Sequence, residues 1–111
     1  MSWLYELAEK ESWEAALTAM HVGSEFQAVG CYGAILPALR EKYGFSEHEI
    51  EHFWLHAEVD VEHSGTAFDV LERHCDTPES RERVRHYLEE AVNRRWFVHD
   101  CAYLHYVKGL L

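Results

Sequence analysis

His56, Asp60 and His63 are the residues of this 111-residue chain whose types and spacing are best suited to chemistry. In a helix they stand at i, i+4 and i+7, so at about 100° per residue they project from one face within two turns. Two imidazoles and a carboxylate then converge on one point. On the same wheel Phe53, Ala57, Val59, Ala67, Phe68, Val70 and Leu71 lie on either side of the trio, and Glu51, Glu58, Glu62, Asp69 and Arg73 fall opposite. The trio is therefore expected in the middle of the buried face. Burying titratable groups there costs several kcal/mol unless something pairs with them. Neutral imidazole with carboxylate is a transition-metal ligand set, so a metal ion is the economical explanation. The plainer alternative is a pair of core histidines satisfied by Asp60 and backbone groups, in a chain with nine histidines and twenty acidic residues.

Positioning that face needs at least one neighbouring helix. Ser12 caps a helix expected from Trp13 towards Lys42, interrupted by Gly23, Gly30, Gly33 and Pro37, with a bend near Gly33 to Pro37. Glu25 shares a face of it with Val22, Ala28, Val29, Tyr32, Leu36 and Leu39. Alone, such a glutamate reaches an exposed edge or bonds to Tyr32 or Ser24. Opposite a His/Asp/His face on an antiparallel neighbour it becomes a further ligand. His21, one turn earlier, is a weaker candidate and Glu14 weaker still.

The remaining elements follow from the same period. Only two prolines and six glycines occur, and helical periodicity runs almost throughout, which predicts an all-α chain: an antiparallel bundle of about three long helices plus a short N-terminal one. Residues 2–9 form that short helix or arm, with Trp3, Leu4 and Leu7 seeking a surface. Tyr43-Gly44-Phe45 ends the second helix, and Ser46 with Glu49 makes a capping box for a third that runs to about His74. Asp76-Thr77-Pro78 supplies a stop, an N-cap and a first-turn proline for a fourth helix over about 78–108. The polar half of that helix is a solvated face. Its C-terminal half aligns Val92, Trp96, His99, Tyr103 and Tyr106, a stripe suited to a core, an interface or a pocket wall.

The totals exclude some functions. At this length there is one small domain. A net charge of −10, with no basic stripe, argues against a nucleic-acid surface or an anionic membrane surface. No run approaches the roughly 18 apolar residues of a membrane span, and the acidic start does not read as a signal peptide; a soluble, cytoplasmic protein is expected. Cys31, Cys75 and Cys101 show no CxxC spacing and are read as reduced packing residues.

Glu25 followed by HAEVDVEH at 56–63, a DTPE helix start at 76–79 and an aromatic last helix containing Arg95-Trp96 resembles the C-terminal half of the haem-oxygenase-like di-metal oxidases and oxygenases. That superfamily also includes the TenA thiaminases and the pyrroloquinoline-quinone synthase PqqC. The resemblance spans about residues 12–108. It implies Glu25, His56, Asp60 and His63 as metal ligands, with Glu25 a possible bridge, and iron as cofactor, either di-iron or manganese with iron. It further implies activation of O₂ on a small amino- or carboxylate-bearing substrate. Relatives supply another Glu and His from a preceding helix that has no counterpart here. The chain is then a fragment, one subunit of a homo-oligomer or of a complex with a partner chain that completes the site, or a single-metal remnant, for which Glu14, His21 or His99 are substitute ligands. Two further functions stay open: a cofactorless TenA/PqqC-like pocket, and a half-bundle that works by dimerising.

Overall fold

The computed structural model describes residues 3–110, all of whose regular structure is helical. The elements are α1 (Trp3–Lys10), α2 (Trp13–Leu17), a π-helix π1 (Thr18–Glu25), α3 (Phe26–Glu41), α4 (Glu51–His74), α5 (Pro78–Ala102) and a second π-helix π2 (Tyr103–Lys108). No described helix is long and apolar enough to cross a membrane. Ser2, the expected start of the first helix, lies outside the described residues.

Helices α2, π1 and α3 form one continuous rod. Its neighbours run along it in opposite senses. Phe26 meets Phe68, and Tyr32 meets Phe53 in edge-on contacts, so α4 is antiparallel to the rod. Arg83 reaches Glu14, and Arg95 reaches the Ser24 carbonyl, so α5 runs parallel to it. Small residues set the approach of α5: a Cβ placed on Gly23 would stand 2.4 Å from the Cβ of Ala91. Only glycine lets the two backbones come this close. Leu7 of α1 packs on Ala19 and Ala91, while Val22, Ala67, Leu71 and Cys75 form a second buried cluster.

The connections form as their residues dictate. Gly44 takes the left-handed conformation (φ 69°) and the Phe45 amide donates six residues back to the Leu39 carbonyl, a glycine stop that turns the chain off the helix. Ser46 and Glu49 make the expected reciprocal cap, but on a turn, and regular helix begins only at Glu51. Thr77 and Ser80 cap α5 behind Pro78.

The rod departs from expectation in its middle. Its irregularity is π1, upstream of the predicted bend, and α3 continues through Pro37 to Glu41. Within π1 the hydrogen bonds reach five residues back, as from the Phe26 amide to the His21 carbonyl. Such wide turns are rare and gather at functional sites.

The assembly is open. Its radius of gyration is 16.3 Å, against about 13 Å for a compact chain of this length. Helices α4 and α5 both lean on the rod, and between them lies a mostly apolar groove of about 480 Å³ lined by Val22, Phe68, Leu71, Cys75, Val84 and Leu88, together with Glu72 and Arg81.

Candidate metal centre

The end of π1 and the middle of α4 bring Glu25, Asp60 and His63 together. One ligand atom from each lies within 4.8 Å of the other two, and no other such cluster occurs among the described residues. His63 Nδ1 is 3.6 Å from Glu25 Oε2 and 3.6 Å from Asp60 Oδ1. Both gaps exceed a hydrogen bond, which closes at about 3.2 Å. They suit two donors that share a cation rather than a proton, since metal–ligand bonds of about 2.0–2.2 Å put neighbouring donors roughly 3 Å apart.

Burial divides the three sharply. Asp60 is 2% exposed and its Oδ1 has no hydrogen-bond partner. A buried carboxylate oxygen left unpaired is the kind of group that native proteins avoid. His63, by contrast, is 53% exposed at the side chain. The wheel placed the trio centrally on a buried face; the structure buries Asp60 and leaves His63 at a rim. The reason is the open fold, which covers α4 on the rod side only.

His56 stays outside the cluster. Its Nδ1–H donates to the His52 carbonyl at 2.8 Å and its ring lies beside His52, centroids 4.2 Å apart. That bond leaves Nε2 as the nitrogen free to accept a metal.

His21 joins instead. Its Nδ1–H donates to Glu25 Oε2 at 2.7 Å, and its ring stands edge-on to His63. The expected alternative partners of Glu25 are otherwise engaged: Tyr32 contacts His52 and Ser24 bonds to the Ala19 carbonyl. The i, i+4 relation of His21 to Glu25 was legible on the helix, though not that their bond would orient the carboxylate.

Glu14 and His99 stand apart from the cluster. Glu14 is buried under a two-pronged contact from Arg83, at 2.6 and 2.8 Å. Burial pushes its carboxyl up, but its own backbone amide and Arg83 outweigh that and hold it below the usual range. His99 sits with Gln27, Cys31, Arg95 and Trp96 along α3 and α5. Of the three cysteines read as packing residues, only Cys75 is buried.

The cluster opens into a groove of about 320 Å³ lined by Leu17, Glu62, Thr66, Ala67 and Val70 together with His21, Glu25 and His63. Its donors are two carboxylates and imidazole, with no lysine or arginine in the lining to balance them. That set fits a divalent iron or manganese ion, and the orphaned Asp60 oxygen fits the same ion.

The architecture is thus an all-α, haem-oxygenase-like bundle with an acid–imidazole cluster between two of its helices. The sequence profile of a family described as iron-containing redox enzymes matches residues 1–96, and the chain belongs to that family. No curated protein and no solved structure matches it significantly.

Proposed function

We propose that this chain carries the metal centre of a non-haem iron oxidoreductase that uses O₂ on a small substrate, with Glu25, Asp60 and His63 as ligands. The unpaired, buried Oδ1 of Asp60, aimed into a cluster of donors from two helices, carries this reading. A cofactorless acid–base pocket gives that oxygen no reason to be left bare.

The roles of the chain's own groups follow from position. Asp60 is the fixed anionic anchor, because it is buried and Ser64 holds its backbone carbonyl. Glu25 is the adjustable ligand, oriented by the His21 N–H. His63, at the rim, closes the site towards the groove. His56, one turn before Asp60 on the same helix, would offer Nε2 as a fourth donor, since the His52 carbonyl holds the proton on the opposite nitrogen. Iron held by such ligands supplies one-electron chemistry and an open position for O₂. Leu17, Ala67 and Val70 give the neighbouring groove an apolar wall, while Glu62 favours a substrate bearing an amino group. A second metal needs donors beyond these, so the four residues define one site, and a two-metal centre requires side chains from elsewhere.

Anaerobic Fe(II) titration of the chain, followed by O₂ and watched by absorbance, tests the reading. Saturable uptake of about one Fe(II) per chain, with a spectral change on oxygenation that Asp60→Asn abolishes, is expected. Absence of saturable uptake overturns it.

A further inference from the structure

The metal site accounts for one seam of the molecule and leaves an exposed apolar stretch of the last helix unused. Trp96 and His99 still line a cleft with Gln27 and Cys31 of α3, and from there the last helix exposes its large apolar side chains. Trp96, Phe97 and Val98 are successive residues and all exposed, and Tyr103, Val107 and Leu110 follow on π2 and after it. Tyr106 is 83% exposed. Large side chains therefore point outward on every side of this arm. The arm also carries His99, Asp100, His105 and Lys108, and exposed apolar clusters of this kind mark interaction surfaces.

From the bare arm, the accessible area and the charge distribution, we infer that the arm and the α4–α5 groove are the two halves of an interface between two copies of this chain. The chain exposes 7886 Å², whereas a compact monomer of 13.0 kDa exposes about 6,300 Å². The excess, about 1,500 Å² per chain, would amount to about 3,000 Å² across a pair, inside the roughly 2,000–5,000 Å² of obligate homodimers.

Charge selects where two copies can meet. Each carries −10 in total, so most approaches are repulsive. In residues 96–110 the only fixed charges are Asp100 and Lys108, which cancel. The arm is thus the neutral part of an acidic molecule.

Shape points to self-association rather than to an unrelated partner. The protruding arm and the recessed groove, whose apolar lining of Phe68, Leu71, Val84 and Leu88 is joined by one opposite-charge couple of residues, Glu72 and Arg81, lie on the same chain at opposite ends of α5. Two copies related by a two-fold axis, with their α5 helices antiparallel, seat each arm at the groove of the other and close the assembly. Leu88 and Tyr103 are separated by about 22 Å of helix at 1.5 Å per residue, so an axis near Trp96 brings arm and groove into register. The interface does not use the Glu25, Asp60 and His63 cluster, and it stands or falls apart from the metal reading.

Size-exclusion chromatography with light scattering on the full chain at about 10 µM tests it. The expected mass is twice 13.0 kDa. Tyr103→Asp/Tyr106→Asp, and separately Trp96→Glu/Phe97→Glu, are expected to give monomers with unchanged helical circular dichroism and unchanged iron uptake, because these side chains touch neither core nor cluster. A monomeric parent chain, or variants that remain dimeric, overturns the proposal. A parent chain that is monomeric until a different protein binds the arm overturns it equally, and assigns the face to that protein.

Discussion

Glu25 Oε2 and His63 Nδ1 face each other at 3.6 Å across the seam between π1 and α4. The two residues are far apart in sequence and reach one point only because the rod and α4 are antiparallel. Neither hydrogen-bonds the other, yet Asp60 stands at the same distance from His63. Three donors spaced for a shared cation lead directly to the first expectation.

Asp60→Asn removes the buried negative charge while keeping the side chain's shape. Retained iron is expected to fall by at least about tenfold in affinity, with the metal-free melting temperature unchanged or raised, because the exchange relieves a buried carboxylate oxygen that has no hydrogen-bond partner. Metal analysis and a thermal melt on the same preparation check both halves. Undiminished iron removes Asp60 from the site.

His21 acts through Glu25 rather than on the metal. His21→Ala is expected to weaken iron binding by about 10- to 100-fold, and His21→Gln, which keeps an N–H donor for the carboxylate, to recover most of that loss. His56→Ala is expected to weaken binding less than Asp60→Asn does. Competition titrations against a chelator rank the variants, and failure of His21→Gln to rescue would show that His21 does more than orient its neighbour.

The Glu14–Arg83 pair makes stability depend on pH. The folded carboxyl lies below its usual value, so the unfolded chain takes up a proton first as pH falls. The contribution is complete above about pH 5, beyond the ordinary glutamate value near 4.3, and disappears as acid titrates the folded group. Arg83→Met leaves a buried carboxylate half-satisfied and is expected to lower stability by about 1–3 kcal/mol at pH 7. Melting curves from pH 7 to 3 should show the difference between variant and parent shrinking towards the acid end; a constant gap would contradict the assignment.

Gly23→Ala forces a methyl group against Ala91, 2.4 Å from its Cβ. The overpacking is expected to cost about 1–3 kcal/mol, or roughly 4–15 °C in Tm. Ala91→Gly in the same chain should restore most of it. A tolerated single substitution would mean that α5 can stand further from the rod.

Much of this arrangement is legible in the residues themselves. Thr77-Pro78 starts a helix and Gly44 stops one for reasons local to a few positions, and Asp60 and His63 share a face because of their spacing alone. Glu25 pairs with them as the antiparallel reading required. Other features depend on contacts that no local pattern encodes. Arg83 and Glu14 are brought together by the parallel run of α5, and His63 is left at a rim by the absence of a covering helix. His56 is turned to the backbone carbonyl one turn back, a bond that its spacing to Asp60 and His63 does not reveal. The π-helix had no compositional sign, since its residues would serve equally in an α-helix.

That stretch of wide turns has a consequence for how the chain tolerates insertions and deletions. Thr18–Glu25 holds more residues per turn than an α-helix of the same length, so the direction in which Glu25 leaves the rod is set by a residue count rather than by any side chain. Rewinding the segment as ordinary α-helix with all its residues retained swings the carboxylate off the seam, whereas loss of one residue between Leu17 and Glu25 is absorbed by the tighter turns and leaves Glu25 near its present direction. The chelating geometry therefore depends on the width of these turns, and a codon lost here is better absorbed than one lost from the regular α-helix on either side.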